Sequence, residues 1–331
     1  MELYKLIPSI RDITLNEIQY GRLEPLSQLF FSLMKVFDNF YILQLIHALF
    51  INVVMFSFIK KSTNHIFLGV FLYFVIFYFY FNMEIIRESI AISFFLLSLN
   101  SYYKKKWIYY YLYIIVAILF HSSAIILVIL PFFRLSKFNY KYALILLTIF
   151  IFSFFFRDIF INTLKLFYIN ERISGKIGLY ETYTYSVYGF LSILFLYILL
   201  PIFIYFFSRK YKIESQYYNL LILYVFIGVA TGYFYIFYRF INYLTPILLI
   251  FYVEVLSKVI FNRNKHSGSV KFATFCICLF FIIVINDARC FRKTYHSKDI
   301  RWYSHWYPYY SIFDEQKDEK RERIYNEQYG L

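Results

Sequence analysis

The sequence predicts an all-α protein, a polytopic transmembrane helical bundle of about nine to ten membrane segments. Of its 331 residues, 61% are hydrophobic and only 16% are charged, too few charges to clothe an ordinary soluble domain. The apolar residues also fall in repeated continuous blocks that approach or reach the length of a bilayer crossing. Closed barrels are excluded, because barrel strands alternate apolar and polar positions and these blocks do not.

The formal charge of +14 does not point to nucleic acid. The lysines and arginines stand in short clusters between apolar blocks, as cytoplasmic loops do. The 43 Phe and 37 Tyr are not in themselves a binding signature, since AT-rich coding sequence favours both, so only individually placed tyrosines carry weight. Cys276 and Cys278 lie in an apolar stretch and Cys290 lies alone beyond it. They form neither a disulfide framework nor a metal set and read as small core residues.

In chain order, residues 1–39 form a polar segment with an amphipathic piece from Leu26 to Phe37, and lack the basic and apolar regions of a signal peptide. A transmembrane domain over 40–286 follows. Its apolar blocks run from Phe40 to Ile59, Ile66 to Phe81, Ile85 to Tyr103, Trp107 to Phe133, Tyr142 to Phe156, Val187 to Ser208, Tyr217 to Tyr238, Phe240 to Phe261 and Lys271 to Asn286. Residues 157–186 read as a long outer loop and 287–331 as a charged outer tail.

The block from Trp107 to Phe133 would be about 40 Å long as one helix, against roughly 30 Å of hydrocarbon. Loop charge decides how it is accommodated. Basic clusters lie at Lys60 and Lys61, at Lys104 to Lys106, at Arg134, Lys137 and Lys141, at Arg209, Lys210 and Lys212, and at Arg263, Lys265 and Lys271. All can be cytoplasmic only if the long block crosses twice. A break at His121 is therefore expected, with Ser122 or Ser123 capping a second short helix. That topology puts the Asn82 to Glu84 loop, the His121 turn, the Arg239 junction and both termini on the outer side.

An ionisable side chain in an apolar run is a functional candidate, because burying it there is costly. His121, in Phe120-His121-Ser122-Ser123-Ala124, is one. Arg87 begins its helix, with Ala91, Phe94 and Ser98 on its face, a small and polar surface of the kind that faces a bundle interior. The structural alternative for Arg87 is an ion pair with Glu84 or Glu88, or snorkelling to the headgroups. Arg239 stands at another helix junction with Tyr243 one turn on. Two arginines, a histidine and a helix start at one depth would cradle a membrane-anchored diphosphate. Glu24, on the same side, is a candidate carboxylate base. The histidines are scattered and no acidic pair has ligand spacing, so neither a metal nor another cofactor is expected.

These residues resemble the EpsG-like relatives of Wzy-type polysaccharide polymerases. The likeness rests on Ile7-Pro8-Ser9-Ile10-Arg11-Asp12 followed by Glu24-Pro25, on Arg87-Glu88-Ser89-Ile90-Ala91, on His121-Ser122-Ser123-Ala124, and on Arg239 and Tyr307-Pro308-Tyr309. It implies a membrane glycosyltransferase joining oligosaccharide repeat units carried on undecaprenyl diphosphate, at the outer face of the cytoplasmic membrane and without a nucleotide sugar. It also implies that Arg11, Tyr309, Arg239, Tyr243, Ser122 and Ser123 meet the substrate while Arg87, His121 and Glu24 carry the chemistry. The partners implied are the lipid-linked glycan, membrane lipid and a chain-length regulator or other assembly protein. The family pattern further leads one to expect a membrane helix ahead of the Arg11 loop, where this sequence starts directly on the polar segment. His121 and Glu24 remain alternatives as the base. A membrane acyltransferase using His121, and a flippase or other transporter of lipid-linked sugar, remain alternative activities; for the transporter, no internal repeat of interrupted segments is found.

Overall fold

In the computed structural model the described residues are 7–14, 23–37, 39–133, 138–165, 187–234 and 236–261. All belong to the first of two compact units, Met1–Arg263. The second unit, Asn264–Leu331, lies outside them, and with it the last apolar block, the charged tail and Tyr309.

Every regular element among the described residues is helical, as the composition requires. In order these are α1 (Pro25–Met34), α2 (Phe40–Ser62), α3 (Ile66–Ile76), a π turn (Tyr80–Glu84), α4 (Ile86–Tyr103), α5 (Trp107–Phe120), a 3-10 segment (Ser122–Phe132) and α6 (Tyr140–Lys165). They continue as α7 (Val187–Ile193), which passes through a second π turn (Leu194–Leu199) into α8 (Leu200–Lys210), then α9 (Tyr218–Tyr233) and α10 (Phe237–Phe261). Among the described residues, four stretches are long and apolar enough to cross a membrane: Phe40–Ser62, Tyr140–Phe160, Gly189–Lys210 and Phe237–Lys258. The protein is an all-α membrane protein.

Burial sorts the long helices into centre and periphery. The apolar window of α10 is 83% buried and that of α6 only 22%, so α10 runs through the middle of the bundle and α6 along its edge. On α2, Leu45, Leu49, Val53 and Phe56 are exposed while Leu43, His47, Ile51, Val54 and Met55 are buried. Large apolar side chains left exposed at helical spacing are what a lipid-facing stripe requires. α9 approaches its neighbours through small residues. A Cβ on Gly228 would stand 2.5 Å from the Tyr197 carbonyl oxygen, and one on Gly232 would stand 2.6 Å from the Phe150 ring. Glycines at such crossings let helix backbones come close.

The overlong block is broken where loop charge placed the break. α5 ends at Phe120, and His121 is extended, with φ −153° and ψ 119°. The chain then folds back. The Tyr110 hydroxyl donates to the Leu127 carbonyl at 2.6 Å and the Tyr111 hydroxyl to the Val128 carbonyl at 3.4 Å, contacts that require two adjacent arms. The returning arm differs from expectation in being 3-10 rather than α-helical. Its 11 residues, at about 2.0 Å of rise each, reach about 22 Å, farther than the same number in an α-helix. Neither serine caps it, because both side chains are committed elsewhere. α6 also continues to Lys165, through the first residues of the connection expected over 157–186. There Arg157 pairs with Asp158 at 3.6 Å, so the end of the apolar run at Phe156 does not end the helix.

Candidate active site

The site is assembled at the break. Glu24 stands at the N-cap of α1, with Pro25 fixing the first helical turn. α1 is held by a core of Ile7, Leu23, Phe31, Met34 and Leu43. It is tied to the end of α5 by the Ser27 hydroxyl, which donates to the Phe120 carbonyl at 2.6 Å. An edge contact between the Phe30 and Phe120 rings, 6.4 Å apart, supports the same junction. The Glu24 carboxylate is not spent on its own helix, since it makes no side-chain cap bond. One oxygen, Oε2, pairs directly with Arg87. The other, Oε1, accepts from the Ser122 backbone N–H at 3.2 Å and the Ser122 hydroxyl at 3.1 Å, and lies 3.4 Å from His121 Nδ1.

His121 is thereby suspended between two carboxylates. Its Nε2 lies 3.5 Å from Glu88 Oε2 and 3.3 Å from an Arg239 guanidinium nitrogen. Accepting from Arg239 at Nε2 puts the proton of a neutral ring on Nδ1, the ring nitrogen nearer Glu24. Glu88 is 3% exposed. It accepts from the Asn242 amide at 2.7 Å and lies 3.8 Å from Arg239. The same Asn242 amide donates to the Tyr80 hydroxyl at 3.1 Å, which also accepts from Tyr238 at 2.8 Å. Ser123 and Tyr243 are joined through their hydroxyls at 2.9 Å, pinning the 3-10 arm to α10.

Exposure orders these groups by depth. The Arg87 and Arg239 side chains are 30% and 41% exposed, against 14% for Glu24, 8% for His121 and 4% for Glu88. An entering anion therefore meets the guanidiniums first, with the carboxylates and imidazole behind them. Around Glu24, burial alone would raise the carboxyl, but the His121 contact and the Arg87 charge outweigh it and hold the group below its ordinary range. A carboxyl depressed in the folded state contributes stability that is fully present above its unfolded value and is lost as pH falls through the folded value. The docking of α1 onto α5 is thus expected to show no Glu24-linked loss from pH 7 down to about 4.5 and to weaken below that. Protease protection of the Leu23–Met34 segment in detergent would report it. A loss with a midpoint near pH 6 that Glu24→Gln abolishes would be contrary.

Arg87, His121, Glu24, Arg239, Tyr243, Ser122 and Ser123 thus lie in one connected cluster. Arg87 pairs with neither acidic residue of its own helix start but with Glu24, 63 positions away. Arg11 is not brought into the cluster. It is exposed in the turn closed by Ser9 and Asp12, and its side chain makes no polar contact with Glu24, Arg87, His121 or Arg239. Tyr309 lies outside the described residues. The helix start proposed as an anion cradle is also differently used, because the Ser122 N–H that opens it is taken by Glu24. Sequence reading missed Glu88, Asn242 and Tyr80. Glu88 carried a signal, an acidic side chain in an apolar helix, but its adjacency to Arg87 suggested a simple ion pair.

A cavity of about 860 Å³ opens elsewhere, between Lys61, Arg209, Lys212, Tyr217 and Glu254. Arg239 lies in the first turn of α10 and Glu254 near its other end, so this cavity and the Glu24 cluster sit at opposite ends of that helix. Its lining mixes basic and acidic side chains from helix ends and from the connection after α8, and includes none of the break-point groups.

A protein-family model described as the EpsG family matches residues 2–311. The chain belongs to the EpsG family. Curated proteins and solved structures give no match. Family membership and the apolar helices together make this EpsG-family chain a membrane protein connected with polysaccharide. Every element described above, from the Ser9–Asp12 turn to α10, lies within the matched span.

Proposed function

We propose that the protein is a polymerase of lipid-linked glycan repeat units, a Wzy-type membrane glycosyltransferase acting at the outer face of the cytoplasmic membrane. The observation that carries this reading is the pairing of two mouth-placed guanidiniums, Arg87 and Arg239, with a buried imidazole flanked by carboxylates. Guanidiniums are always charged and present several donors to a phosphate. They suit a diphosphate leaving group on undecaprenyl diphosphate, where charge develops as the glycosidic bond to phosphate breaks. The hydroxyl of a second repeat unit attacks the anomeric carbon, and its proton is received by a base of the cluster. The outward orientation rests on charge. Lys60 and Lys61 end α2, and Arg209 and Lys210 end α8, and basic loop residues favour the cytoplasmic side.

The reading is tested in cells. Loss of the gene is expected to leave single lipid-linked repeat units on the outer surface with no long polymer. Units stranded inside would indicate transport, and full-length polymer lacking an acyl group would indicate acyl transfer. Restoration with His121→Ala, at normal membrane level, is expected to leave polymer at least about 100-fold below wild type. Full-length polymer from that variant would remove His121 from the chemistry.

A further inference from the structure

Glu24 and Arg87 have conflicting duties if the polymerase reading holds. Arg87 is one of the two guanidiniums at the mouth that would meet a diphosphate, yet it is bound to Glu24. Glu24 is a candidate base, yet a carboxylate locked to a guanidinium is a weak proton acceptor. The geometry resolves the conflict, because the two sides of Glu24 are held differently. Among the described residues, the Oε2 side meets the Arg87 guanidinium alone, and that side chain is 30% exposed. The Oε1 side is held by the Ser122 N–H, the Ser122 hydroxyl and His121, so Glu24 stays in place when Arg87 leaves.

We propose that Arg87 is an exchanged counter-ion: the diphosphate of the lipid-linked donor draws Arg87 off Glu24, and the released carboxylate becomes the base that activates the acceptor hydroxyl. The proposal rests on the polymerase reading and adds an order of events to it. The donor arrives first, and only its arrival arms the base, so water or a stray hydroxyl meets an inactive carboxylate in the empty site. In the transfer step the acceptor O–H bond breaks and its proton passes to Glu24 Oε2. The acceptor oxygen forms the new bond to the anomeric carbon while the carbon–oxygen bond to the diphosphate breaks. The electron pair leaves with the diphosphate, against Arg87. Departure of the carrier returns Arg87 to Glu24, and the proton goes to solvent. The other charged or titratable groups facing Glu24 are His121 beside it, and Glu88, Arg239 and Tyr243 behind. None of them need move.

Exchange makes a counter-intuitive expectation. Glu24 competes with the donor for Arg87, so removing its charge should strengthen donor binding while destroying activity. Undecaprenyl diphosphate is titrated into the full-length protein in detergent micelles, for wild type, Glu24→Gln and Arg87→Ala. Glu24→Gln is expected to bind about 3- to 10-fold more tightly than wild type and to make almost no polymer. Equal or weaker binding by Glu24→Gln, with wild type binding normally, overturns the exchange but leaves the polymerase reading intact. Binding by Arg87→Ala at wild-type strength, or no binding by wild type, overturns the diphosphate cradle itself. Glu24→Asp guards against a folding defect in Glu24→Gln. It keeps the charge but draws it back from Arg87, and tighter binding with slower transfer is expected there too; unchanged binding and rate would count against the exchange.

Discussion

Polymer is expected to disappear when Arg87 is replaced by Lys, with the protein still inserted at its normal level. The substitution preserves what the fold needs. A lysine ammonium can still meet the Glu24 carboxylate, and Ala91 and Ser98, buried on the same face of α4, are untouched. What it removes is the planar fork of donors that can bridge two phosphate oxygens as charge develops on them. Loss of one such fixed donor from a transition state typically costs about 100- to 1,000-fold in rate. The measurement is chain-length distribution on gels from cells carrying the variant, with membrane level followed by immunoblot. Polymer of normal length and amount from Arg87→Lys would take the leaving-group role away from Arg87. A fall in polymer matched by a fall in membrane protein would assign Arg87 to folding.

How far the site was legible in the sequence depends on which physical signal each residue carried. The break at His121 was readable because two independent constraints met there: a block too long for one crossing and basic clusters that needed an even number of crossings. Arg87, Arg239 and His121 could be placed at one depth by the same bookkeeping, and the structure brings them together through Glu24 and Glu88. Which side chain pairs with which was not readable, because charge type fixes depth but not azimuth. Arg87 and Glu88 are adjacent, so they point about 100° apart around the helix. Arg87 turns to α1 and Glu88 to α10, a divergence that sequence adjacency disguised as an ion pair. The serines were misread for a related reason. A capping rule weighs only the local backbone, and here Glu24 and Tyr243, 98 and 120 positions away, compete for the two hydroxyls and win. His47 was overlooked altogether. It is buried on α2, where Nε2 lies 3.0 Å from the Ile86 carbonyl and 3.0 Å from the Ser89 hydroxyl. His47 carried the same signal as His121, an ionisable side chain in an apolar run, but nothing local to it shows that it holds the entrance of the helix carrying Arg87.

Glu88 tests the deepest layer of the same cluster. Its carboxylate is the point where α4, the His121 break and α10 meet, through Asn242, His121 and Arg239. Glu88→Gln keeps the size and one acceptor oxygen for Asn242, but turns an N–H-bearing amide toward donors that the carboxylate oxygen had accepted. Glu88→Leu removes every acceptor and leaves the buried Asn242 amide short of a partner, a loss of about 1 to 3 kcal/mol for each polar group stranded. The two variants should therefore separate position from stability. Glu88→Gln is expected to insert and fold, with the rate of polymerisation down about 10- to 100-fold, while KM for the lipid-linked donor changes little because Glu88 lies behind the guanidiniums. Glu88→Leu should in addition lower thermal stability in detergent, and Glu88→Asp should recover part of the rate. Such a split identifies Glu88 as a positioning residue, holding the His121 ring and the Arg239 guanidinium at the angle the chemistry needs. A wild-type rate in Glu88→Gln would show that the carboxylate charge is unnecessary and that Glu88 serves only to join α4 to α10.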